Sequence, residues 1–178
     1  MKATNAITVS KVSDADVTVD KLKLKKILTS QYPYSQRLVT RVDLDGGVEI
    51  VNYPSSYLNT AHSRDLTYAV GGLEYLNKKI HDVVRKVASG IMHHGPVSAS
   101  CIIARKGGPV FPQSQDTNGV YFRVISGVKL VKVNGVDYWL REGNTIMIGQ
   151  GATYIEQNRE DSIVLKIEFH QYMEDLLR

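Results

Sequence analysis

GVYFRVISGVKLVKVNGVDYWLREGNTIMIGQ, residues 119–150, decides the fold class. Valine, isoleucine, tyrosine and phenylalanine crowd its runs, and turn residues cut it at short intervals. Asn134-Gly135 has the form of a two-residue hairpin turn between two β-rich segments. Glu142-Gly143-Asn144 and Gly149-Gln150-Gly151 punctuate the remaining strands. The same texture extends back to SASCIIAR (98–105) and forward through ATYIEQ (152–157) to SIVLKIEFH (162–170). Short strands at such regular spacing predict an antiparallel sandwich or small barrel.

Upstream of Gly90 the pattern is mixed. Asp20–Ser30 reads as a helix with Asp20 as its N-cap, carrying Leu22, Leu24, Ile27 and Leu28 among four lysines. Leu38–Tyr53 alternates around Asp45-Gly46-Gly47, a hairpin signal. Arg64–Ser89 reads as a second helix, broken at Gly71-Gly72, with Leu73, Leu76, Ile80, Val83, Val84 and Val87 on one stripe. A short closing helix is expected at Gln171–Arg178. The fold class expected is therefore α+β: an N-terminal helical and β-hairpin layer over 1–96, packed on a β-barrel over 97–178, as one compact unit.

Composition narrows the function classes. The chain has 178 residues, 43% hydrophobic and 22% charged, which suits one globular domain. No apolar run approaches the roughly 20 residues of a membrane span, and the N-terminus lacks a secretory apolar segment. A single cysteine, Cys101, excludes an intrachain disulfide framework and points to a reducing cytoplasm. The net charge of +4 permits a polyanionic partner without demanding one. Basic residues at Lys21–Lys26, Lys78, Lys79, Arg85 and Lys86 are interleaved with acids, and no nucleic-acid-binding motif accompanies them. Nucleic acid therefore ranks low among partners, and a membrane is not expected.

The stretch Ser114–Gly127, the hairpin after it, the E-G-x-x-x-x-I run and the strand S-I-V-L-K-I-E-F together resemble the double-stranded β-helix (jelly roll) of cupins. The resemblance is closest to the JmjC-like and cupin-type 2-oxoglutarate oxygenases, among them asparaginyl hydroxylases and small phage-encoded relatives. It covers 97–178. In that family an H-x-D motif and a distal histidine hold the metal, and a lysine holds the 2-oxoglutarate carboxylate. Here Ser114-Gln115-Asp116 stands at the H-x-D position, Lys129 at the lysine, and Tyr154 at the distal histidine. Gly143–Gly149 matches the G-D-x-x-x-I-P strand with Asn144 and Gly149 in place of Asp and Pro.

The facial triad that holds Fe(II) needs two histidines and a carboxylate. A serine hydroxyl and a phenol of pKa about 10 are poor substitutes. The resemblance thus implies a pseudoenzyme, with no catalytic residues, no metal site and no cofactor. Ser114, Asp116, Arg123, Lys129 and Tyr154 are the pocket candidates, of which a small-anion site would use Lys129 and Arg123. An inward Lys129 requires Asp116, Glu156, Glu168 or a bound anion beside it. The role expected is binding, as a phage-type protein-interaction or assembly factor in the cytoplasm or a virion, with a protein partner or self-association as a homo-oligomer. The alternatives are an Fe(II)/2-oxoglutarate-dependent hydroxylase with atypical ligands, or a small-anion-binding cupin.

Overall fold

The computed structural model describes residues 7–11, 39–51, 65–112 and 117–170. In chain order these form β1 (Ile7–Lys11), β2 (Val39–Asp43), β3 (Val48–Ile50), β4 (Leu66–Val70), α1 (Leu73–Leu76), α2 (Lys78–Gly90), β5 (Val97–Ala104), β6 (Thr117–Val133), β7 (Val136–Arg141), β8 (Asn144–Gly149), β9 (Tyr154–Gln157) and β10 (Ser162–His170). The described residues are thus mostly antiparallel β-structure with few helices, a jelly-roll arrangement. No helix among them is long and apolar enough to cross a membrane.

Strand β6 ties the architecture together. Its first half pairs with β8 and β10 inside a large sheet ordered β1-β8-β6-β10-β5-β4-β2-β3. Its second half pairs with β7 and β9 in a second, three-stranded sheet. The sequence divides this strand in two at Ser126-Gly127, where the structure has a single strand that passes from one sheet to the other. Gly127 makes the passage: its φ is +78°, and a Cβ there would lie 1.9 Å from the Asp161 carbonyl oxygen. A β-bulge in the β10 pairing falls at the same place.

Between the two sheets lies one apolar cluster, with Val120, Phe122, Val124, Ile146, Ile148 and Val164 from the large sheet. Val131, Val133, Leu140 and Tyr154 face them from the small one. The other face of the large sheet carries a second core. There Ala99, Cys101, Ile125, Leu165, Ile167 and Phe169 pack with Val39, Tyr68, Val70, Leu73, Ile80 and Val84. Helix α2 supplies Ile80 and Val84 from its apolar face. It starts at Asn77, whose side-chain oxygen accepts from the Lys79 and Ile80 amides at 2.9 and 3.3 Å.

The hairpin expected at Leu38–Tyr53 is β2–β3, turning at Gly46 with φ +81° and held by the cross-strand Arg41–Glu49 ion pair. The helix expected from Arg64 does not begin there. Leu66–Val70 is instead strand β4, pairing β2 on one side and β5 on the other. Thr67, Tyr68 and Val70 are buried, so sheet burial on both edges outweighs the helical periodicity further on. Gly72, at φ +66°, makes the switch into α1. The pairing of β4 with β5 carries backbone hydrogen bonds across residue 96. Strand β1, pairing β8, has no counterpart in the sequence reading. The helices expected at Asp20–Ser30 and Gln171–Arg178 lie outside the described residues.

Candidate functional site

Alternation along β6, β9 and β10 sends a set of charged side chains into the space between the sheets. Lys129 and Lys132 differ by an odd number and face opposite ways. Lys129 is buried at 1% exposure, whereas Lys132 lies outside and pairs with Asp137 at 3.3 Å. On β9, Glu156 sits opposite Val131 and shares its inward face with Tyr154. On β10, Lys166 sits opposite Phe122 and Glu168 opposite Val120, so both share the face of Val164.

These groups form a continuous ionic array. Lys129 Nζ lies 2.9 Å from Glu156 Oε2 and donates to Asn158 Oδ1 at 2.8 Å. Lys166 Nζ lies 3.4 Å from Glu156 Oε1 and 3.1 Å from Glu168 Oε1. Two ammonium groups meet two carboxylates, so the array carries no net charge. Its floor is aromatic: Lys166 Nζ stands 5.8 Å from the Phe122 ring centroid, and Tyr154 meets Phe122 edge-on, also at 5.8 Å. Asn158 anchors the outer end by donating to the Gly108 and Pro109 carbonyls at 3.1 and 2.7 Å.

Packing of this kind sets the electrostatics. Burial alone would raise the Glu156 carboxyl, but Lys129 and then Lys166 outweigh it and hold the group below its ordinary value of 4.5. For Lys166, burial works against the charge, and Glu156 and Glu168 reverse that, raising the ammonium above its ordinary value. Tyr154 is pushed up to about 12 by burial. It is therefore a neutral phenol at physiological pH.

The structure sorts the sequence candidates. Lys129 and Tyr154 both face the barrel interior. Arg123 does not join them: it succeeds Phe122 on a regular strand and so faces the opposite side, opposite Leu165 and Thr145. Ser114 and Asp116 lie outside the described residues. Of the histidines, His170 Nε2 is bonded to Ser98 Oγ at 2.8 Å, and His93 Nε2 lies 3.2 Å from the Pro96 carbonyl. Two members of the array, Lys166 and Asn158, are not among the sequence candidates. Lys166 has a signal, a lysine two residues before Glu168 and so on the same face of the mostly apolar strand SIVLKIEFH.

A scan against protein-family models gives no match, and neither does a search of curated proteins. Solved structures do match. The chain is similar to the Escherichia coli ribosomal oxygenase YcfD, with a TM-score of 0.65 and 14% identity over 96% of this chain. The fold is cupin-like and JmjC-like. The chain spans about half of that oxygenase, 49% of its length. The same enzyme solved with cobalt and 2-oxoglutarate matches with a TM-score of 0.64 and 15% identity, covering 97% of this chain and 50% of that one. Its complex with cobalt and succinic acid also gives 0.64, at 14% identity.

That finding corrects one expectation. A barrel with no cofactor is not the starting point for this fold, because the oxygenase that the chain is similar to is one solved in complex with cobalt and 2-oxoglutarate. The fit of such groups to this chain divides in two. Among the described residues no group of three or more His, Cys, Asp or Glu side chains is placed to hold a metal ion. Tyr154 stays protonated, and both interior glutamates are paired with lysines. The described donors therefore do not make a metal centre. An organic acid is a different matter, since a buried lysine holding a carboxylate, as Lys129 holds Glu156, is the contact that an incoming acid would make.

Proposed function

We propose that the protein is a cupin of the 2-oxoglutarate-oxygenase type that takes a small organic acid into its barrel at Lys129. One observation carries the reading: a lysine buried to 1% exposure inside the barrel, at the position the family resemblance assigns to the acid-binding lysine. A buried ammonium costs several kcal/mol unless paired, and here Glu156 supplies the pairing from within the chain, in the contact a bound acid would make. Asn158 fixes the direction of Lys129, Phe122 lies beneath Lys166 and packs on Tyr154, and Lys166 pairs with Glu168 as well as Glu156. The likeness to a ribosomal oxygenase favours the oxygenase alternative over a binding-only assembly factor. Asp116 is the residue that the resemblance offers to a metal.

Calorimetric titration tests the reading. Wild-type protein should bind 2-oxoglutarate or succinate at millimolar concentration or better, a free energy of about 4 kcal/mol. Lys129→Met should abolish the heat while circular dichroism stays native. Repeating the titration under argon with Co(II) or Fe(II) reports whether a metal tightens the acid, and Asp116→Ala whether that metal uses Asp116. Absence of acid binding with and without metal overturns the proposal.

A further inference from the structure

A cleft of about 310 Å³ opens beside the interior array, bordered by Lys106, Gly108, Val110 and Arg159, with Glu156 and Asn158 at its base. Those last two are the side chains that engage Lys129. The cleft thus reaches the two side chains that hold Lys129, and two exposed cations, Lys106 and Arg159, border it. Glu156 lines the cleft, and its carboxylate is seated on Lys129 at 2.9 Å in a contact that an external carboxylate would make in the same way.

We infer that Glu156 is a resident carboxylate occupying, within the chain, the place on Lys129 that a small carboxylic acid takes through this cleft. This rests on the reading of the barrel as an acid-binding site, and it adds what sets the affinity. Lys129 and Lys166 are balanced by Glu156 and Glu168, so a further carboxylate brings an unmatched negative charge into a buried site. Removing the charge of Glu156 leaves one unmatched positive charge instead, which an incoming acid neutralises. Lys166, 3.4 Å from the other Glu156 oxygen, is where the resident carboxylate remains when the acid takes Lys129.

Glu156→Gln tests this, because it keeps the shape and removes the charge. Titration with acetate, succinate and 2-oxoglutarate at matched ionic strength should show at least about tenfold tighter binding than wild type, the equivalent of about 1.4 kcal/mol. The melting temperature of the variant should climb with acid concentration more steeply than that of wild type. The double variant Lys129→Met/Glu156→Gln should show neither effect. If Glu156→Gln does not fold, Glu156→Asp, which retracts the carboxylate by one methylene, should still bind acid several-fold tighter. Equal or weaker binding in the single variants, with wild type binding, overturns the inference and leaves the acid-binding reading intact. A gain in the variant with no binding by wild type shows that Glu156 fills the place of an acid on Lys129 permanently, which overturns the exchange inferred here together with the native acid-binding reading. No binding by either removes both.

Discussion

Lys129 and Glu156 are coupled tightly enough that neither can be altered alone at small cost. Losing one member of a buried pair typically costs about 3–5 kcal/mol, because its partner stays desolvated and unmatched. Here Lys166 retains part of the Glu156 charge, so Lys129→Met should fall near the lower end, about 3 kcal/mol. For a chain of this size that lowers the melting temperature by about 6–12 °C. The double variant Lys129→Met/Glu156→Gln should lose less than the sum of the two singles, and urea midpoints measure that coupling. The same pair governs the pH dependence. Glu156 is held below its ordinary 4.5, so its contribution is fully present above that value and disappears as pH falls through the lower folded-state value. Lys166 is raised, so its contribution is present below about pH 10.4, the unfolded value, and is lost only as pH rises beyond it. Stability attributable to the array should therefore be flat from about pH 5 to pH 10, and Glu156→Gln should flatten the acid limb of the wild-type curve. At this scale the sequence is informative about direction and names Glu156 among the possible partners of Lys129 without choosing it. The odd spacing of Lys129 and Lys132 tells that one faces in. Nothing local tells that Lys166, on a strand remote in sequence, completes the charge balance, because that contact exists only once β9 and β10 face each other.

Gly127 shows how one position makes an element serve two sheets. The residue combines a left-handed φ of +78° with backbone packed where a Cβ would stand. Gly127→Ala therefore meets both conformational strain and a clash with Asp161 that no side-chain rearrangement relieves, and it should cost about 2–4 kcal/mol. Gly46, at φ +81° in the β2–β3 turn, has nothing within 4 Å of its missing Cβ, so Gly46→Ala carries only the strain, about 1 kcal/mol. Denaturant midpoints of the two variants should differ in that order, and equal losses would show that the close approach at Gly127 is not what constrains it. Hairpins with Gly in the turn are readable for the reason these two glycines illustrate, since local backbone chemistry dictates them. Leu66–Val70 is not, because its apolar spacing also fits a helix, and only pairing with β2 and β5 decides for the strand. The continuity of β6 is hidden in the same way, by a Ser-Gly pair that reads as a break and acts as a bend.

Across the whole molecule, the barrel is legible because turn signals recur from Gly127 to Gly151, whereas its junction with the N-terminal segment is not. Strand β4 joins the large sheet directly at β5, Tyr68 opposite Ile103 and Val70 opposite Cys101. The core on that face takes Val39, Tyr68, Leu73, Ile80 and Val84 from one side of residue 96, and Cys101, Leu165, Ile167 and Phe169 from the other. A fragment of residues 97–178 would expose the outward faces of Ala99, Ile125, Leu165, Ile167 and Phe169, at about 1.5–3 kcal/mol for each large side chain left in water. That sum is comparable to the roughly 5–15 kcal/mol by which domains are usually stable. The fragment should therefore show no cooperative thermal transition and should bind a hydrophobic dye. The full chain should unfold in one step, with near- and far-ultraviolet circular dichroism coincident. Cys101 gives a second readout inside the shared core. It is fully buried and its thiol is pushed up to about 12 by that burial, so a thiol reagent should label it only as the global transition occurs. Labelling of Cys101 in advance of the barrel's unfolding would show that the two parts separate first, and the fragment would then be expected to fold.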